Sequence, residues 1–356
     1  MHDLIVPVVA IPARNEEALL PRLIAALARQ TIVRHLHQPL RVVLVLNNTD
    51  DRSLAAALEA AAHAPQLRMT IEEEVFPLDQ AHVGQARHLA MEIAAREAPS
   101  GVILTTDADA VPSDNWVENN LRAIRSGIDL VGGQIIGDRQ EEETLGAGFL
   151  RRALTHARYA SLRDELAWLI DPIDHDPWPR HRDHTGASIA VRSDVYRATG
   201  GMDPLPFRED LAFVSKVVAA GYRLSHPLDV VVTVSARTNG RAPGGMADCL
   251  RSWVREEMEG VPLLLECPDA IERRLHLRRS MRALAQEVSS VVCPTSAVKE
   301  TRQQEAVRYA GVHWNRAMIE RLMADDPDAI ATVPASIAVA KLERRIADLR
   351  RVANAA

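Results

Sequence analysis

Two aspartates, Asp107 and Asp109, stand one residue apart directly after the apolar run 102–106. If that run is a buried strand, its alternation points both carboxylates to the same side. Two negative charges held so close repel each other unless they share a divalent cation or a basic partner. Carboxylate oxygens suit Mg²⁺ or Mn²⁺, which take further ligands from water and substrate phosphates. The pair therefore predicts a metal site, and the alternative is a helix-capping aspartate beside a turn aspartate that precedes Pro112.

A second acidic pair, Glu209 and Asp210, opens the helical pattern 209–220. A carboxylate held at a helix start beside a cleft can take the proton from an attacking hydroxyl group. Acids in a first helical turn also interact favourably with the helix dipole and need no catalytic role. The pair predicts a general base, Asp210 or less favourably Glu209, with an ordinary helix start as the alternative.

Short segments with polar residues follow the first two apolar runs, 4–11 and 42–46. After the first run come Pro12, Ala13, Arg14, Asn15 and Glu16, and after the second come Asn47 and Asn48. Each segment is a good helix N-cap, with acids where the helix dipole favours them. Side-chain amides can also recognise the edge of a nucleobase. Both interpretations stay open on the residues alone.

Two arginines, Arg237 and Arg241, lie in the glycine-rich segment 235–245. A guanidinium group binds phosphates and carboxylates through paired hydrogen bonds. The segment therefore predicts a clamp for donor phosphates or for an anionic acceptor, and the alternative is a flexible basic loop.

The stretch 171–184 is rich in proline, aspartate and histidine and predicts an ordered loop that covers the site. Trp178 is its candidate platform for a sugar or acceptor, with packing of the loop as the alternative. The spacing of its histidines does not fit a structural zinc set, and neighbouring arginines would repel a cation. The residues concerned are His175, His181 and His184, with Arg180 and Arg182. His184 precedes Gly186 closely, which makes it a candidate acceptor contact.

These segments need a scaffold, and the first half of the chain alternates apolar runs with helical patterns. The strands are predicted at 4–11, 42–46, 67–71 and 102–106, and the helices at 16–30, 52–63, 80–96 and 115–125. Such alternation predicts an α/β fold, a mostly parallel sheet with helices on both faces. Ligands of such sheets bind beyond the carboxyl ends of the strands.

The second half predicts helix over 141–169 and 209–220, and short strands over 187–191 and 230–234. From Met246 onward the pattern is almost wholly helical. We therefore expect a catalytic domain over 1–245 and a helical C-terminal extension over 246–356. Leu342, Ile346 and Leu349 share one face of its last helix, which predicts packing on the chain itself or on a second copy.

The composition narrows the class of protein. The 356 residues are 47% apolar and 25% charged, with a formal net charge of -6, which argues against a nonspecific nucleic-acid binder. The cysteines Cys249, Cys267 and Cys293 are widely spaced and predict free thiols. No signal-like segment and no apolar run near the ~20 residues that span a bilayer is present. These features predict a cytoplasmic protein with at most peripheral membrane contact.

Taken together, and in this order, the segments resemble family 2 glycosyltransferases with the GT-A fold, a Rossmann-like sheet. The resemblance covers roughly residues 4–235 and includes residues 83–87, 186–188, 200–201 and 221–222 besides those above. It implies transfer of a sugar from a nucleoside-diphosphate-sugar to an acceptor hydroxyl, with a divalent cation, Mn²⁺ or Mg²⁺, as cofactor. It also implies inversion at the anomeric carbon.

The resemblance assigns expected roles residue by residue. The base and ribose pocket is formed by Pro12, Ala13, Arg14, Asn15, Glu16 and Asn47, and the diphosphate is approached by Gly84 and Arg87. Asp109 contacts the cation most directly, with Asp107 nearer the ribose or a bound water. Asp210, or else Glu209, is the base. On the acceptor side, the resemblance includes Gly186 and Ala187; Trp178, His184, Arg237 and Arg241 are the further candidates that the residue patterns above predict.

Three rival functions remain to be weighed. A sugar-phosphate nucleotidyltransferase shares the sheet and the acidic metal site, but usually has a glycine-rich loop where this chain has Pro12 and Ala13. A non-catalytic scaffold with the same fold is the rival outside enzymes, and the acidic residues argue against it. Dinucleotide binding is excluded because no Gly-x-Gly-x-x-Gly motif follows the first strand.

Overall fold

Twelve strands are present in this computed structural model, which describes residues 6–240, 245–292 and 331–355. In chain order they are β1 Pro7–Ala13, β2 Leu40–Asn47, β3 Leu67–Glu74, β4 Val102–Thr105, β5 Ala110–Pro112, β6 Leu130–Gly132, β7 Gln134–Gly137, β8 Ile189–Arg192, β9 Leu224–Ser225, β10 Val231–Val234, β11 Leu264–Glu266 and β12 Thr332–Pro334.

Seven of these strands form the central sheet, in the order β3-β2-β1-β4-β8-β6-β9. All neighbours are parallel except β8, which runs antiparallel to both β4 and β6. The middle strand β1 is buried along its whole length, as expected of a parallel strand covered on both faces. The carboxyl ends of β1, β2 and β4 therefore meet at one edge of the sheet, where the predicted site residues begin.

The helices of the described residues are α1 Leu20–Ala28, α2 Ser53–Ala62, α3 Val83–Glu97, α4 Trp116–Arg125, α5 Arg139–Thr144, α6 Ala147–Ile170, α7 Ser193–Ala198, α8 Glu209–Ala219, α9 Met246–Met258, α10 Pro268–Val292 and α11 Ala335–Ala355. Helices cover both faces of the central sheet. Alternate residues of β1 divide between the two faces: Val9 and Ile11 pack with α1, α2 and α4, whereas Val8 and Ala10 pack with α3, α7 and α8. The predicted mixed α/β architecture with a mostly parallel sheet is confirmed.

The last helix packs on the chain itself. Leu342 and Ile346 of α11 are buried in one apolar cluster with Tyr159 and Leu166 of α6 and Leu275 of α10. Because α6 precedes the predicted boundary at residue 245, this cluster joins both sides of that boundary, and the two-domain division stays a prediction. The predicted helices of the C-terminal extension are confirmed over its described residues, and the three-residue strands β11 and β12 pair antiparallel between them.

The sequence patterns located β1, β2, β3, β4, β8 and β10. The strands β5, β6, β7 and β9 were missed because they have two to four residues with at most two consecutive apolar side chains. Two of them, β5 and β7, flank β10 in a separate three-stranded sheet. Within the described residues, no helix is both long enough and apolar enough to cross a membrane. Cys249 and Cys267 are free thiols; Cys293 lies outside the described residues.

Candidate active site

The aspartate pair lies in a turn at the carboxyl end of β4. The strand ends at Thr105, and the turn into β5 is closed by a hydrogen bond of 3.1 Å from the Ala110 N–H to the Asp107 carbonyl. The prediction that strand alternation orients Asp107 and Asp109 is therefore wrong. The turn nevertheless leaves both carboxylates partly exposed, at 33% for Asp107 and 25% for Asp109.

A buried arginine joins Asp107 to the start of α8. Arg87, on α3, donates from Nη2 to Asp107 at 2.7 Å and from Nε to Glu209 at 3.0 Å. Its Nη1 donates to the Thr105 hydroxyl at 3.1 Å and to the Gly186 carbonyl at 3.0 Å. Burial alone would lower the pKa of Arg87, but the charges of Asp107 and Glu209 raise it above its usual range. Arg87 is thus a fixed positive charge that organises the acidic residues.

Gly186 holds the second acidic residue of α8. Its N–H donates to Asp210 Oδ2 at 2.6 Å, and the Leu211 N–H donates to Oδ1 at 2.7 Å. A Cβ atom on Gly186 would lie 2.3 Å from Nη2 of Arg87, so only glycine allows the guanidinium to lie against this backbone. Glu209 is buried and occupied by Arg87, whereas Asp210 is partly exposed.

A second arginine, Arg237, joins the aspartate turn to the loop after β1. It follows β10 and donates from Nη1 to Glu16 at 2.8 Å and from Nη2 to Asp109 at 3.0 Å. Burial, with the charges of Asp107 and Glu16, raises the pKa of Asp109 to about 7, and the charge of Arg237 opposes this. The hydrogen bonds to Glu16 raise the pKa of Arg237.

The loops after β1 and β2 are bonded to each other. Asn15 and Asp50 exchange two hydrogen bonds, 2.6 Å from the Asn15 amide and 3.0 Å from the Asp50 N–H. The Glu16 N–H donates to the Ser53 hydroxyl at 2.8 Å. The positive φ values of non-glycine residues in the described chain are those of Asn15, Asn48 and Arg208, all in loops of this site. Such backbone is costly and often accompanies function.

The two amides after β2 have different surroundings. Asn48 exchanges hydrogen bonds of 2.9 and 3.0 Å with the backbone of Phe76, so its side chain is already occupied. Asn47 is buried and donates to the His82 carbonyl at 3.2 Å, and its Oδ1 has no hydrogen-bond partner among the described residues. Of the two amides, only Asn47 therefore remains a candidate to recognise a nucleobase.

The other residues expected at the nucleotide have structural contacts. Pro12 and Ala13 are buried at the end of β1, and Arg14 is exposed and donates to the Ala81 carbonyl at 3.0 Å. A Cβ atom on Gly84 would lie 1.9 Å from the Leu205 carbonyl oxygen. Glycine at residue 84 therefore leaves room for the backbone at Leu205, in the segment that leads into α8. On the acceptor side, the Ala187 carbonyl accepts from the Thr106 hydroxyl at 2.8 Å.

The predicted loop 171–184 is confirmed as a segment without helix or strand, and buried polar contacts fix it. Asp176 accepts from Arg180 at 2.7 Å and contacts His226 Nδ1 at 2.9 Å. His184 Nδ1 lies 3.1 Å from His226 Nε2. Trp178 is half-buried and precedes a cis proline bond. Arg241 lies outside the described residues.

Sequence reasoning missed Thr105, Asp176 and His226. Thr105 lies in the predicted strand 102–106 and Asp176 in the predicted loop 171–184, but the partners of both residues are distant in sequence. His226 follows the two-residue strand β9 and has no local pattern that would single it out.

The aspartate turn suits a hard divalent ion that takes part of its coordination from a ligand. Within the described ranges, no group of three or more His, Cys, Asp or Glu side chains is arranged to hold a metal ion. Mg²⁺ sites commonly use one or two carboxylates, several waters and substrate phosphates. Asp107 and Asp109, partly exposed and adjacent, fit that description.

Residues 8–169 match the family model described as Glycosyl transferase family 2. No curated protein matches the chain. Among solved structures, a mannosyltransferase from Pyrobaculum calidifontis in complex with GDP-Man and Mn²⁺ is 16% identical, with 90% of this chain and 88% of that chain covered and a TM-score of 0.46. TarS 1-349 of S. aureus in complex with UDP is 13% identical, with 89% and 90% covered and a TM-score of 0.46.

A third solved structure, GalNAc-T7 with UDP, GalNAc and Mn²⁺, is 14% identical, with 87% of this chain and 55% of that chain covered and a TM-score of 0.43. The family match ends before α8, so it includes the aspartate turn and not Asp210. The family model covers a little under half of the chain, and over residues 8–169 the chain is similar to glycosyl transferase family 2.

Proposed function

We propose that this chain transfers a sugar from a nucleoside-diphosphate-sugar to an acceptor hydroxyl, with a divalent cation at the aspartate turn and inversion at the anomeric carbon. Asp109 and Asp107 hold the cation, and Asp210 is the general base. The family match supports glycosyl transfer, and the arrangement of charges at the sheet edge supports the roles of these residues.

The observation that carries the proposal is an excess of negative charge. The carboxylates of this cluster are Glu16, Asp107, Asp109, Glu209 and Asp210, and the arginines that bond to them are Arg87 and Arg237. A nucleoside diphosphate is itself an anion, so it would be repelled by this cluster. A divalent cation between the aspartates and the diphosphate removes that repulsion. Mg²⁺ and Mn²⁺ both favour oxygen ligands of this kind.

When bound, the cation would neutralise the charge that develops on the leaving diphosphate. The chain's own residues prepare its place. Arg87 holds Asp107 at one side of the turn, and the Arg237 loop closes the other side over Asp109. Arg237 is partly exposed beside the aspartate turn, and we propose it as a residue that receives donor phosphates, in line with the predicted phosphate clamp.

The surroundings of Asp210 support its role as base. Glu209 is buried against Arg87, which leaves Asp210 as the acid of this pair with access to solvent. The Gly186 and Leu211 N–H groups fix the carboxylate, so that one orientation faces the acceptor. An attack on the face of the anomeric carbon opposite the diphosphate, with Asp210 taking the hydroxyl proton, gives inversion.

For the donor, the proposed base and ribose pocket comprises the loop after β1 and Asn47. The buried Oδ1 of Asn47 is an acceptor without a partner, and leaving such a group unpaired costs about 1–3 kcal/mol. A side-chain rotation that brings this oxygen to a nucleobase N–H would recover that energy. The preference for one nucleobase therefore depends on which base has an N–H group that can donate to Oδ1 of Asn47.

The test is a thermal-shift screen of UDP, GDP, dTDP, CDP and ADP and their common sugars, each with Mn²⁺ and with EDTA. A ligand that binds only the folded state raises the melting temperature. The proposal predicts a rise with one nucleotide family that requires Mn²⁺. Equal melting temperatures for every nucleotide, with and without Mn²⁺, would contradict it.

A further inference from the structure

Two buried side chains, Asp176 and His226, and the partly buried His184 form one hydrogen-bonded series. Asp176 Oδ2 lies 2.9 Å from Nδ1 of His226, and Nε2 of His226 lies 3.1 Å from Nδ1 of His184. The backbone N–H of His226 also donates to Asp176 Oδ1 at 2.7 Å. Asp176 and His226 are 5% and 7% exposed, so solvent does not compete for these contacts.

The contacts determine which ring nitrogens carry protons. Burial alone would raise the pKa of Asp176, but hydrogen bonding and charge from His226, with the charge of Arg180, lower it to about 2. An ionised carboxylate only accepts hydrogen bonds, so Nδ1 of His226 donates. In the tautomer of His226 that carries its proton on Nδ1, Nε2 accepts from Nδ1 of His184. Nε2 of His184 is left with a lone pair.

A glycine at the end of β6 leaves room for His184 and His226. Gly132, the last residue of β6, has no Cβ atom, and a Cβ there would lie 2.8 Å from Cβ of His184 and 3.0 Å from Cδ2 of His226. It would also lie 2.4 Å from the Asp183 carbonyl oxygen. Glycine at this position therefore lets both imidazole rings approach the end of the strand.

The series of hydrogen bonds from Asp176 through His226 to His184 leads toward the proposed base, Asp210. His184 stands two residues before Gly186, whose N–H fixes Asp210. The charged and titratable groups that act on the His184 ring are His226, Arg182, His181 and Asp210. Burial and the first three lower the pKa of His184 to about 4, and Asp210 opposes them. His184 is therefore neutral near pH 7, and Asp210 is one of the charged groups that act on its ring.

Resting on the proposed function, we propose that Asp176, His226 and His184 form a proton relay that restores Asp210 after it has deprotonated the acceptor hydroxyl. The O–H bond of the protonated Asp210 breaks and, through one water, Nε2 of His184 gains a proton. Nδ1 of His184 passes its proton to Nε2 of His226. The charge then resides on the His226 imidazolium, paired with the Asp176 carboxylate. His184 itself ends neutral, as its surroundings favour.

The relay assigns different roles to its members. His184 exchanges protons with the base, while His226 and Asp176 are positioning residues that fix its tautomer. Asp176→Asn presents an amide that can donate as well as accept, so His226 is no longer held with its proton on Nδ1. A comparable loss of tautomer control is the effect of an aspartate-to-asparagine change in the serine protease triad.

The experiment has one readout that needs no substrate. The full chain labelled with ¹⁵N-histidine is examined by long-range ¹H–¹⁵N NMR from pH 6 to 8, as wild type and as Asp176→Asn. We expect His184 of the wild type to carry its proton on Nδ1, and a share of His184 in the variant to carry it on Nε2. A wild-type His184 protonated on Nε2 overturns the relay, even if the variant does not fold.

The second readout is turnover, measured as release of UDP or GDP from UDP-glucose, UDP-N-acetylglucosamine and GDP-mannose with Mn²⁺ and water as acceptor. Asp176→Asn is expected to lower kcat about tenfold or more, with KM unchanged and an altered pH profile. His175→Gln, in the same loop, is the control and should be unchanged. A wild-type enzyme that turns over a donor while Asp176→Asn keeps its full kcat overturns the relay alone. A wild-type chain that is inactive with these donors and whose melting temperature is unchanged by every nucleotide in the thermal-shift screen overturns the proposed function.

Discussion

Arg237 donates two hydrogen bonds to the carboxylate of Glu16, although 221 residues separate them in the chain. The pair connects the loop after β10 to the loop after β1, across the mouth of the aspartate turn. The same guanidinium reaches Asp109. Arg237 therefore neutralises part of the carboxylate charge that would otherwise attract a divalent cation. The cation and Arg237 should compete for Asp109.

Arg237→Gln should have opposite effects on the two ligands. Without donor, Mn²⁺ should bind about tenfold more tightly, because no guanidinium repels the ion and about 1.4 kcal/mol is enough for that change. The nucleoside diphosphate should bind more weakly, because a phosphate partner is lost. Mn²⁺ titration followed by electron paramagnetic resonance, with calorimetry for the nucleotide, measures both. Arg345→Gln is the matched control, since Arg345 is exposed and pairs with Glu272 on α10; equal Mn²⁺ affinity in all three proteins would contradict the competition.

Arg87→Met should destabilise the fold strongly. The side chain is 3% exposed, and its removal leaves Glu209 buried without its ion pair. Breaking a buried pair in this way costs about 3–5 kcal/mol. Urea denaturation measures the free energy of unfolding. Arg122→Met, which removes an exposed pair with Asp229, should cost no more than about 1 kcal/mol. Similar losses in the two variants would show that Arg87 does not organise the site.

The acidity of Asp109 predicts how pH acts on the cation. Its pKa is raised from 3.8 to about 7, so the folded protein binds more protons than the unfolded chain across that window. Without a cation, this group's contribution to the free energy of unfolding therefore falls as the pH rises from about 4 to about 7.

Mn²⁺ requires the deprotonated carboxylate, so protons compete with it. Its dissociation constant should fall about tenfold per pH unit as the pH approaches about 7 from below, and then level off. Titrations at several pH values measure this slope. The Asp109→Asn variant should bind Mn²⁺ weakly and without that slope. A wild-type constant that does not vary between pH 5 and 7 would refute the assignment of Asp109.

Asp210→Asn should separate binding from chemistry. The amide keeps the size of the side chain, so the nucleoside diphosphate should bind with unchanged affinity in calorimetry. Turnover should fall by about 10²-fold or more, because the amide cannot accept the proton. Asp203→Asn, an exposed residue before α8 that pairs with Lys216, is the control. Turnover within a factor of two of the wild type would exclude Asp210 as the base.

The sequence predicts the scaffold of this site better than its contacts. The apolar runs around Val9, Val43 and Ile103 are long enough to identify β1, β2 and β4, and hence the sheet edge where the polar segments end. The strands β6 and β9 are too short for that, and the antiparallel direction of β8 has no signature in a four-residue run.

Residue types likewise predict candidates and not their partners. The positions of Asp107, Asp109 and Asp210 make them candidates, but no local pattern predicts that Arg87 bonds to Glu209, 122 residues away. Asp176 and His226 are 50 residues apart, and their pairing depends on the edge of the sheet. Such contacts arise from tertiary packing, which no local spacing encodes.

The most direct test of the account is an anomalous difference map from crystals grown with Mn²⁺ and the nucleoside diphosphate that stabilises the protein most. The account predicts a manganese peak bonded to the Asp109 carboxylate and to the diphosphate, with Arg237 withdrawn from Asp109. A nucleotide bound at the sheet edge without a manganese peak, and with Arg237 still on Asp109, would contradict it.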